Sequence, residues 1–486
     1  MNLRFYNTLT KRVDAFTPID PLCVRVYSCG PTVYDVAHIG NLRAFLFPDI
    51  LQRVIRMVGG YPVRWVMNVT DIDDKTIADS QPGSKRWRDE MGAQSEDPHA
   101  NLRALTTFYE AEFLGDLNRF NIRRENFYRV PRATDYIDSM KDLIRDILAS
   151  EYAYVRDGSV YFNVGTYSKS HVYGRLFAID KENFREGVRI DADEYDRESV
   201  SDFVLWKGHK EGEPSWDFDI DGVNVPGRPG WHIECSAMSK DILGLPFDIH
   251  TGGVDLRFPH HEDELAQCTA GYHEQDQATF WMHNEFLEVE GKKMSKSLGN
   301  FFTLHELVDR GLDPLDVRFA MLQAHYRAVF NFTFEGVKAA NVARRKIQDY
   351  IYDVKALAGD AAAQDSDGQM LHAAVFKELA DDVHTPKALA ELFSFVGEHP
   401  VSSLDSARAA SIFASLVEIN GVFDVFTMED RPVLVIPDVI AQLAARRWDA
   451  KISKDWAESD RLRAEIAALG WVMKDGKEAY TLEPLS

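Results

Sequence analysis

Cysteine is scarce in this chain. Only four of 486 residues are cysteine (Cys23, Cys29, Cys235 and Cys268), and none is paired in sequence. That excludes a disulfide framework and leaves room for a metal ligand or a reactive thiol. There is no apolar run long enough to span a bilayer. The opening Met1-Asn2-Leu3-Arg4-Phe5-Tyr6-Asn7 lacks the apolar core of a secretion signal. The expectation is a cytoplasmic enzyme with no membrane role. Positive charge is also short: 55 Lys and Arg face 77 Asp and Glu, for a net charge of −22. Phosphate neutralisation needs cations. Composition alone therefore favours a small-molecule enzyme over a nucleic-acid binder, unless a local basic face sits on the acidic body. No repeats are present, and the length suits about two to four domains.

What is present carries more. Residues 23–29 are β-branched and aromatic enough for a strand, and Gly30-Pro31 signals a turn. From Ile39 to Met57 apolar residues recur at helical spacing (Leu42, Phe45, Leu46, Ile50, Val54, Met57), stopping at Gly59-Gly60. Residues 63–69 read as a second strand. Strand, loop, helix, strand is a parallel βαβ unit, and such units bind ligands at the carboxyl ends of their strands. Residues 80–100 read as a surface loop or insertion. Residues 101–215 mix helical periodicity with short strands such as 159–164, which suggests an inserted domain. Residues 216–300 return to strand, turn and helix. From Leu304 the pattern is helical, with a polar connection at 358–369 and a boundary at 430–437 marked by Pro432 and Pro437.

Two short motifs suit phosphate chemistry. His38-Ile39-Gly40-Asn41 opens the first helix. There the helix N-terminus adds partial positive charge, and a glycine lets a base lie against backbone. Alone, the motif reads equally as a histidine capping a helix. Lys293-Met294-Ser295-Lys296-Ser297 sets two lysines around small polar residues, which makes either a triphosphate clamp or a solvated basic turn. A third group has metal-ligand chemistry: Cys29, Cys235 and the run Phe258-Pro259-His260-His261-Glu262-Asp263-Glu264. If Pro259 opens a helix, His260 and Glu264 share one face. His261 is the competing imidazole, about 100° round the helix. Two thiolates, an imidazole and a carboxylate suit zinc, though each cysteine singly reads as a small core hydrophobe.

In this order, on either side of an insertion, the first two motifs resemble the HIGH and KMSKS signatures of class I aminoacyl-tRNA synthetases. Asn41 replaces the last histidine of the first signature. Residues 29–35, 68–75, 202–207, 227–238, 252–255 and 258–264 then resemble the cysteinyl-tRNA synthetases, over roughly the first two thirds of the chain. Residues 216–226 depart from the Ser-Pro-Trp-Gly-like run usual in that family. The resemblance implies an α/β protein: a Rossmann-like parallel-sheet catalytic domain with an inserted α+β domain, then helical domains and a small C-terminal α/β module. Its expected bounds are 1–115 and 216–303 for the catalytic domain and 116–215 for the inserted connective domain. Residues 304–429 would form the stem-contact region and helical bundle, and 430–486 the anticodon-binding domain.

The resemblance also implies roles. One zinc ion held by Cys29, Cys235, His260 and Glu264 would take the thiolate of L-cysteine. Packing alone separates cysteine from serine by only about 1–3 kcal/mol, whereas a neutral hydroxyl is a poor match for soft ligation. Cys29, Thr70, Trp231 and His260 would form the substrate site, although an isolated tryptophan reads as core. ATP, with Mg2+, would meet His38, Gly40, Asp255, Lys293, Met294, Ser295 and Lys296; Asp255 reads alternatively as a turn residue. His38, Asn41, Lys293 and Lys296 would be the catalytic groups as cysteinyl-adenylate forms. Transfer to the 3′-terminal adenosine of tRNA(Cys) would follow.

Residues 438–469 read as two helices, with Arg446, Arg447, Lys451, Lys454, Arg461 and Arg463 among Trp448 and Trp456. Basic residues beside aromatics suit single-stranded bases, or form a solvated helical hairpin. The resemblance puts Trp456, Asp460 and Asp475 at anticodon-reading positions, and Arg344, Arg345 and Lys346 are available to an RNA backbone. Rival readings are a cysteine ligase acting on a small amino-sugar, a catalytically dead RNA-binding paralogue, and a structural zinc protein. The first has no use for residues 430–486, and the second has no need of His38, Lys293 and Lys296. A monomer is expected.

Overall fold

Strands Val24–Ser28, Val63–Met67, Phe247–Gly253 and Ala278–Asn284 form one four-stranded sheet in the computed structural model, which describes residues 1–177, 202–272, 276–295, 298–363, 367–476 and 479–484. Across the sheet the order is Ala278–Asn284, Phe247–Gly253, Val24–Ser28, Val63–Met67. Every pairing is parallel, with Val26 opposite Ile249 on one side and Trp65 on the other. Such a sheet is covered on both faces, so its strands are apolar nearly throughout. Alternate residues serve two different cores. Val24, Val26, Trp65 and Met67 join one hydrophobic cluster, and Tyr27, Val66 and Phe247 join the other.

The crossover between the first two strands is helix Ile39–Met57, which runs between the limits its periodicity marks. Its buried stripe (Ile39, Leu42, Leu46, Ile50, Val54 among others) meets the first cluster together with the helical region. That region contains helices Pro314–Leu322, Phe334–Ala358, Asp367–Ala380, Thr385–Glu398 and Ser406–Phe423. On the other face lie helices Trp231–Leu243 and His260–Gly271, with helix Ile137–Ala149 packed on both.

The span expected as an inserted domain contributes an antiparallel sheet ordered Gly227–Pro229, Phe203–Gly208, Ser159–Phe162, Ala153–Arg156. Its edge strand comes from beyond residue 215. Its core residues Val160, Phe162 and Trp206 share the second cluster with Tyr27 and Val66 of the parallel sheet. A hairpin of Arg4–Asn7 and Arg12–Ala15 precedes everything.

Residues 1–428 form one compact unit and 429–486 another. The second contains helices Asp438–Ile452 and Trp456–Ala468 and a hairpin of Trp471–Asp475 with Tyr480–Pro484. Its own core is Ile440, Leu443, Ala444, Leu462, Ile466, Met473 and Leu482. Among the described residues, no helix is long and apolar enough to cross a membrane.

Candidate active site

Parallel strands end together, and the chain uses that edge of the sheet. Cys29 follows Ser28, and Asn68 to Thr70 follow Met67. Gly253 leads into the 3-10 turn Val254–Arg257, which carries an exposed Asp255. Helix Trp231–Leu243 brings Cys235, and helix His260–Gly271, with Pro259 as its N-cap, brings His260 and Glu264 one turn apart. Gly252 must be glycine for this to close, because a Cβ there would stand 2.6 Å from the His261 ring.

Cys29, Cys235, His260 and Glu264 each offer a donor atom, and these atoms all lie within 4.8 Å of one another. The two Sγ atoms are 3.7 Å apart, Cys29 Sγ is 3.5 Å from Glu264 Oε1, and His260 Nε2 is 3.1 Å from the same oxygen. A tetrahedral set of donors about 2.0–2.3 Å from zinc has edges of about 3.3–3.8 Å. His260 Nε2 is buried and has no aligned hydrogen-bond partner, the condition of a ligand atom whose partner is an ion. The donor set therefore fits zinc. His261 supplies an alternative group with Cys29, His250 and Glu264. There, however, the nitrogen that His250 turns to Glu264, Nε2, is already bonded to Oε2 at 3.0 Å, and its unpartnered nitrogen is the other one, Nδ1, whereas His260 turns its unpartnered Nε2 to Glu264 Oε1; this favours the set containing His260.

Supporting contacts aim these donors. His232 Nδ1 lies 2.9 Å from His260 Nδ1, and the half-buried Trp231 stacks on the His260 ring at 4.2 Å. Gln277 Nε2 donates to Glu264 Oε2 at 2.8 Å beside His250, which leaves Oε1 turned to the thiols. His261 bonds His283 through Nδ1 and approaches Cys29 Sγ at 3.2 Å through Nε2. Burial opposes charge here, yet His250 and His260 hold Glu264 well below the ordinary carboxylate range. Burial likewise disfavours imidazolium at His260, but Glu264 and Cys235 push it up to about 10. Burial and the neighbouring Cys235 push the Cys29 thiol up. Histidines 232 and 250 and Gln277 were not singled out from sequence, where only a general richness in histidine around 216–300 was visible.

Thr70 is buried, and its hydroxyl donates to Glu234 Oε2 at 2.6 Å. Burial lifts Glu234 well above the usual carboxylate range, against the pull of that hydrogen bond. Its other oxygen, Oε1, has no hydrogen-bond partner.

The run His38 to Asn41, expected to meet phosphate, forms a helix cap. His38 Nδ1 accepts from Asn41 N–H at 3.2 Å, and Asn41 Oδ1 accepts from His38 N–H at 3.0 Å. Asparagine at this place completes a capping box. A neutral His38 then carries its proton on Nε2, as a donor. Gly40 sits beneath the His38 ring. Lys293 is exposed in strand Lys292–Lys293, and Met294 is half-buried against the first hydrophobic cluster. Ser295 N–H donates to Asn300 Oδ1 at 2.9 Å, and Asn300 Nδ2 donates to the Lys293 carbonyl at 3.2 Å. Lys296 and Ser297 lie outside the described residues.

In the second unit Trp456 is 60% exposed at the start of its helix, with an exposed Asp460 one turn on. Arg447 grips Asp475 with two bonds of 2.6 and 3.0 Å, and Lys451 adds a contact at 3.1 Å. The Arg447 hydrogen bonds hold Asp475 down to about 2. Arg463 lies 3.8 Å from Asp475 and 3.9 Å from Asp460. Arg344, by contrast, is ion-paired to Asp316 at 2.6 Å, and Arg345 is exposed.

Residues 15–342 match the family model described as "tRNA synthetases class I (C) catalytic domain". The chain is 40% identical to the Cysteine--tRNA ligase of Leptospira interrogans serovar Lai over 494 residues, covering 98% of each. It is also 40% identical to the Cysteine--tRNA ligases of Solibacter usitatus (98% of each) and Rhodopseudomonas palustris (99% of this chain, 97% of the relative). Among solved structures it is similar to Mycobacterium tuberculosis methionyl-tRNA synthetase bound by methionyl-adenylate. That match has a TM-score of 0.57 at 14% identity and covers 82% of this chain and 92% of the other. Agrobacterium radiobacter K84 LeuRS gives a TM-score of 0.55 at 11% identity, covering 84% and 85%. At such identities these two show the fold alone.

Proposed function

This chain belongs to the cysteinyl-tRNA synthetases, and within that family we propose that Cys29, Cys235, His260 and Glu264 hold the zinc that selects L-cysteine. It is an ATP-dependent cysteine--tRNA ligase. Zinc there supplies a soft Lewis acid that favours a thiolate over a neutral hydroxyl, which separates cysteine from serine. Thr70 and Trp231 bound the amino acid, Thr70 fixed by Glu234 and Trp231 by its stack on His260.

In activation the cysteine carboxylate oxygen bonds to the α-phosphorus of ATP. The bond to the bridging oxygen breaks, and pyrophosphate leaves. His38, with its proton on Nε2, meets the developing phosphate charge at a helix N-terminus, together with Lys293 and Lys296. Gly40, Met294 and Ser295 shape the nucleotide's bed, Asn41 sets the His38 ring, and Asp255 meets the ribose. Mg2+ accompanies ATP as counter-ion to its phosphates. A hydroxyl of the 3′-terminal adenosine of tRNA(Cys) then attacks the adenylate carbonyl, and AMP leaves.

We assign residues 1–115 and 216–303 to catalysis, 116–215 to a connective insertion, 304–429 to stem contact and bundle, and 430–486 to anticodon binding. In the last, exposed Trp456 would stack a base while Asp460 and Asp475 accept from base edges. The cytoplasm suits four cysteines that are all unpaired.

The observation that carries the reading is the convergence of four donors, distant in sequence, within 4.8 Å at the strand ends. The test is ATP–pyrophosphate exchange with each of the twenty amino acids, with zinc quantified in the same preparation. Exchange with cysteine alone and about one zinc per chain is expected. Comparable exchange with serine, or full cysteine exchange without zinc, would refute the selection mechanism.

A further inference from the structure

Arg43 lies one turn after Ile39 on helix Ile39–Met57 and is only 4% exposed. Among the described residues it faces no carboxylate at ion-pair distance. Its guanidinium is held by backbone instead: Nε donates to the Glu285 carbonyl at 3.3 Å, and one Nη donates to the His325 and Ala328 carbonyls at 3.3 and 2.5 Å. It also lies over the Phe330 ring at 5.3 Å. A buried cation satisfied by three carbonyls from two separate segments locks those segments to its own helix.

Those segments are the roots of one small sheet. Strand Leu287–Val289 follows Glu285, and strand Phe330–Phe332 follows Ala328. The two pair in parallel, Leu287 opposite Phe330, and Leu287–Val289 also pairs with Lys292–Lys293, Glu288 opposite Lys293. Lys293 is therefore carried on a sheet whose base Arg43 holds. The other side of the loop is held by the same helix one turn earlier. Ile39 N–H donates to the Phe302 carbonyl at 2.9 Å, His38 forms a bridge with Thr303, and the His38 ring packs on Phe301 at 4.9 Å. Positions 39 and 43 fall on one helix face. One face thus holds both shoulders of the segment that begins at Lys293.

We infer that Arg43 is a positioning residue for amino-acid activation, which fixes the strand carrying Lys293 in register with His38 so that both meet the same phosphates. This rests on the reading of His38 and Lys293 as phosphate ligands. Lysine at 43 keeps the charge but cannot fork to three carbonyls, and misplacing a catalytic group by about 1 Å can cost about 100-fold.

The experiment compares wild type, Arg43→Lys and Arg43→Met in ATP–pyrophosphate exchange. ATP and cysteine are varied separately, rates are corrected by active-site titration, and zinc is measured. Arg43→Lys should lower kcat/KM for ATP by about 10- to 100-fold, with KM for cysteine and zinc content unchanged, and Arg43→Met should lower it further. If Arg43→Met does not fold, Arg43→Lys decides alone. Unchanged ATP kinetics per active site, or a KM for cysteine that rises as much as the KM for ATP, would overturn the inference. Absence of cysteine-dependent exchange in the wild type would instead remove the functional reading beneath it.

Discussion

The terminal methyl of Met294 lies 3.1 Å from the place a Cβ on Gly40 would occupy, and the His38 ring lies 2.9 Å from it. The two runs proposed to meet phosphate, 254 positions apart in sequence (294 minus 40), thus meet over one glycine. Gly40 is an ordinary helical residue within Ile39–Met57, so Gly40→Ala should improve helix propensity by up to about 1 kcal/mol. The methyl would nevertheless push His38 and Met294 aside. The melting temperature should hold within about 4 °C, while kcat/KM for ATP falls at least about tenfold. Calorimetry and pyrophosphate exchange on the same sample check both. An unaltered ATP response would mark the contact as incidental.

Zinc should be removable with loss of selection and without loss of the fold, because the parallel sheet and both large clusters are built from apolar side chains. Dialysis against a strong chelator should abolish cysteine-dependent exchange, and added zinc should restore it. Cys29→Ser should leave far less than one zinc per chain and lower exchange by at least about 100-fold, beyond what loss of a supporting contact costs. Circular dichroism should be unchanged. Full activity in a metal-free Cys29→Ser sample would exclude the four-donor site.

Local pattern made helix Ile39–Met57 legible to the residue, because an apolar stripe of period 3.6 bounded by glycines has few other solutions. The strands at 24 and 63 were legible for a similar reason. Residue chemistry suggested Cys29, Cys235, Glu264 and either His260 or His261 as donors, and only the family resemblance joined Cys29, Cys235, His260 and Glu264 at one zinc, since their convergence depends on three separate elements meeting at one sheet edge. Sequence gave no sign of His250 and Gln277 on Glu264 or of Arg43 on three carbonyls. A buried polar group is satisfied by tertiary neighbours that leave no periodic trace. The strand Gly227–Pro229 was hidden because three residues carry too little alternation to register.

Asp116, near the end of helix Pro98–Arg119, is 8% exposed, and burial pushes its carboxyl up to about 6, against the pull of Arg119. An unfolded aspartate titrates near 3.9. Below that value both states bind the proton and the group is neutral toward stability. Between about 4 and 6 the folded state alone keeps it, so stability falls as pH rises. Above 6 the full penalty stands, at most about 3 kcal/mol from a shift of about two units. Asp116→Asn should therefore stabilise the protein by about 1–3 kcal/mol at pH 8 and by almost nothing at pH 3.5. Urea melts at the two pH values measure this. Equal effects at both would mean that the carboxyl is not displaced by burial.

Residues 429–486 form a compact unit with a core of their own, centred on Leu462 and Ile466, and none of the donors or phosphate motifs lies within them. A chain ending at Met428 should keep cysteine-dependent pyrophosphate exchange within about twofold, while kcat/KM for tRNA(Cys) falls by about 100-fold or more, as loss of stacking worth about 1–3 kcal/mol per base requires. In the full chain, Trp456→Ala should reproduce part of that loss, about 5- to 100-fold on tRNA, and none of it on exchange, since its ring is mostly in solvent. Arg447→Ala should act differently. It frees Asp475 from its bidentate hold and removes a buried side chain, so tRNA recognition and the stability of this unit should fall together. Measuring both activities in all three variants separates the two roles. Undiminished charging by the shortened chain would mean that recognition of tRNA(Cys) resides wholly in residues 1–428.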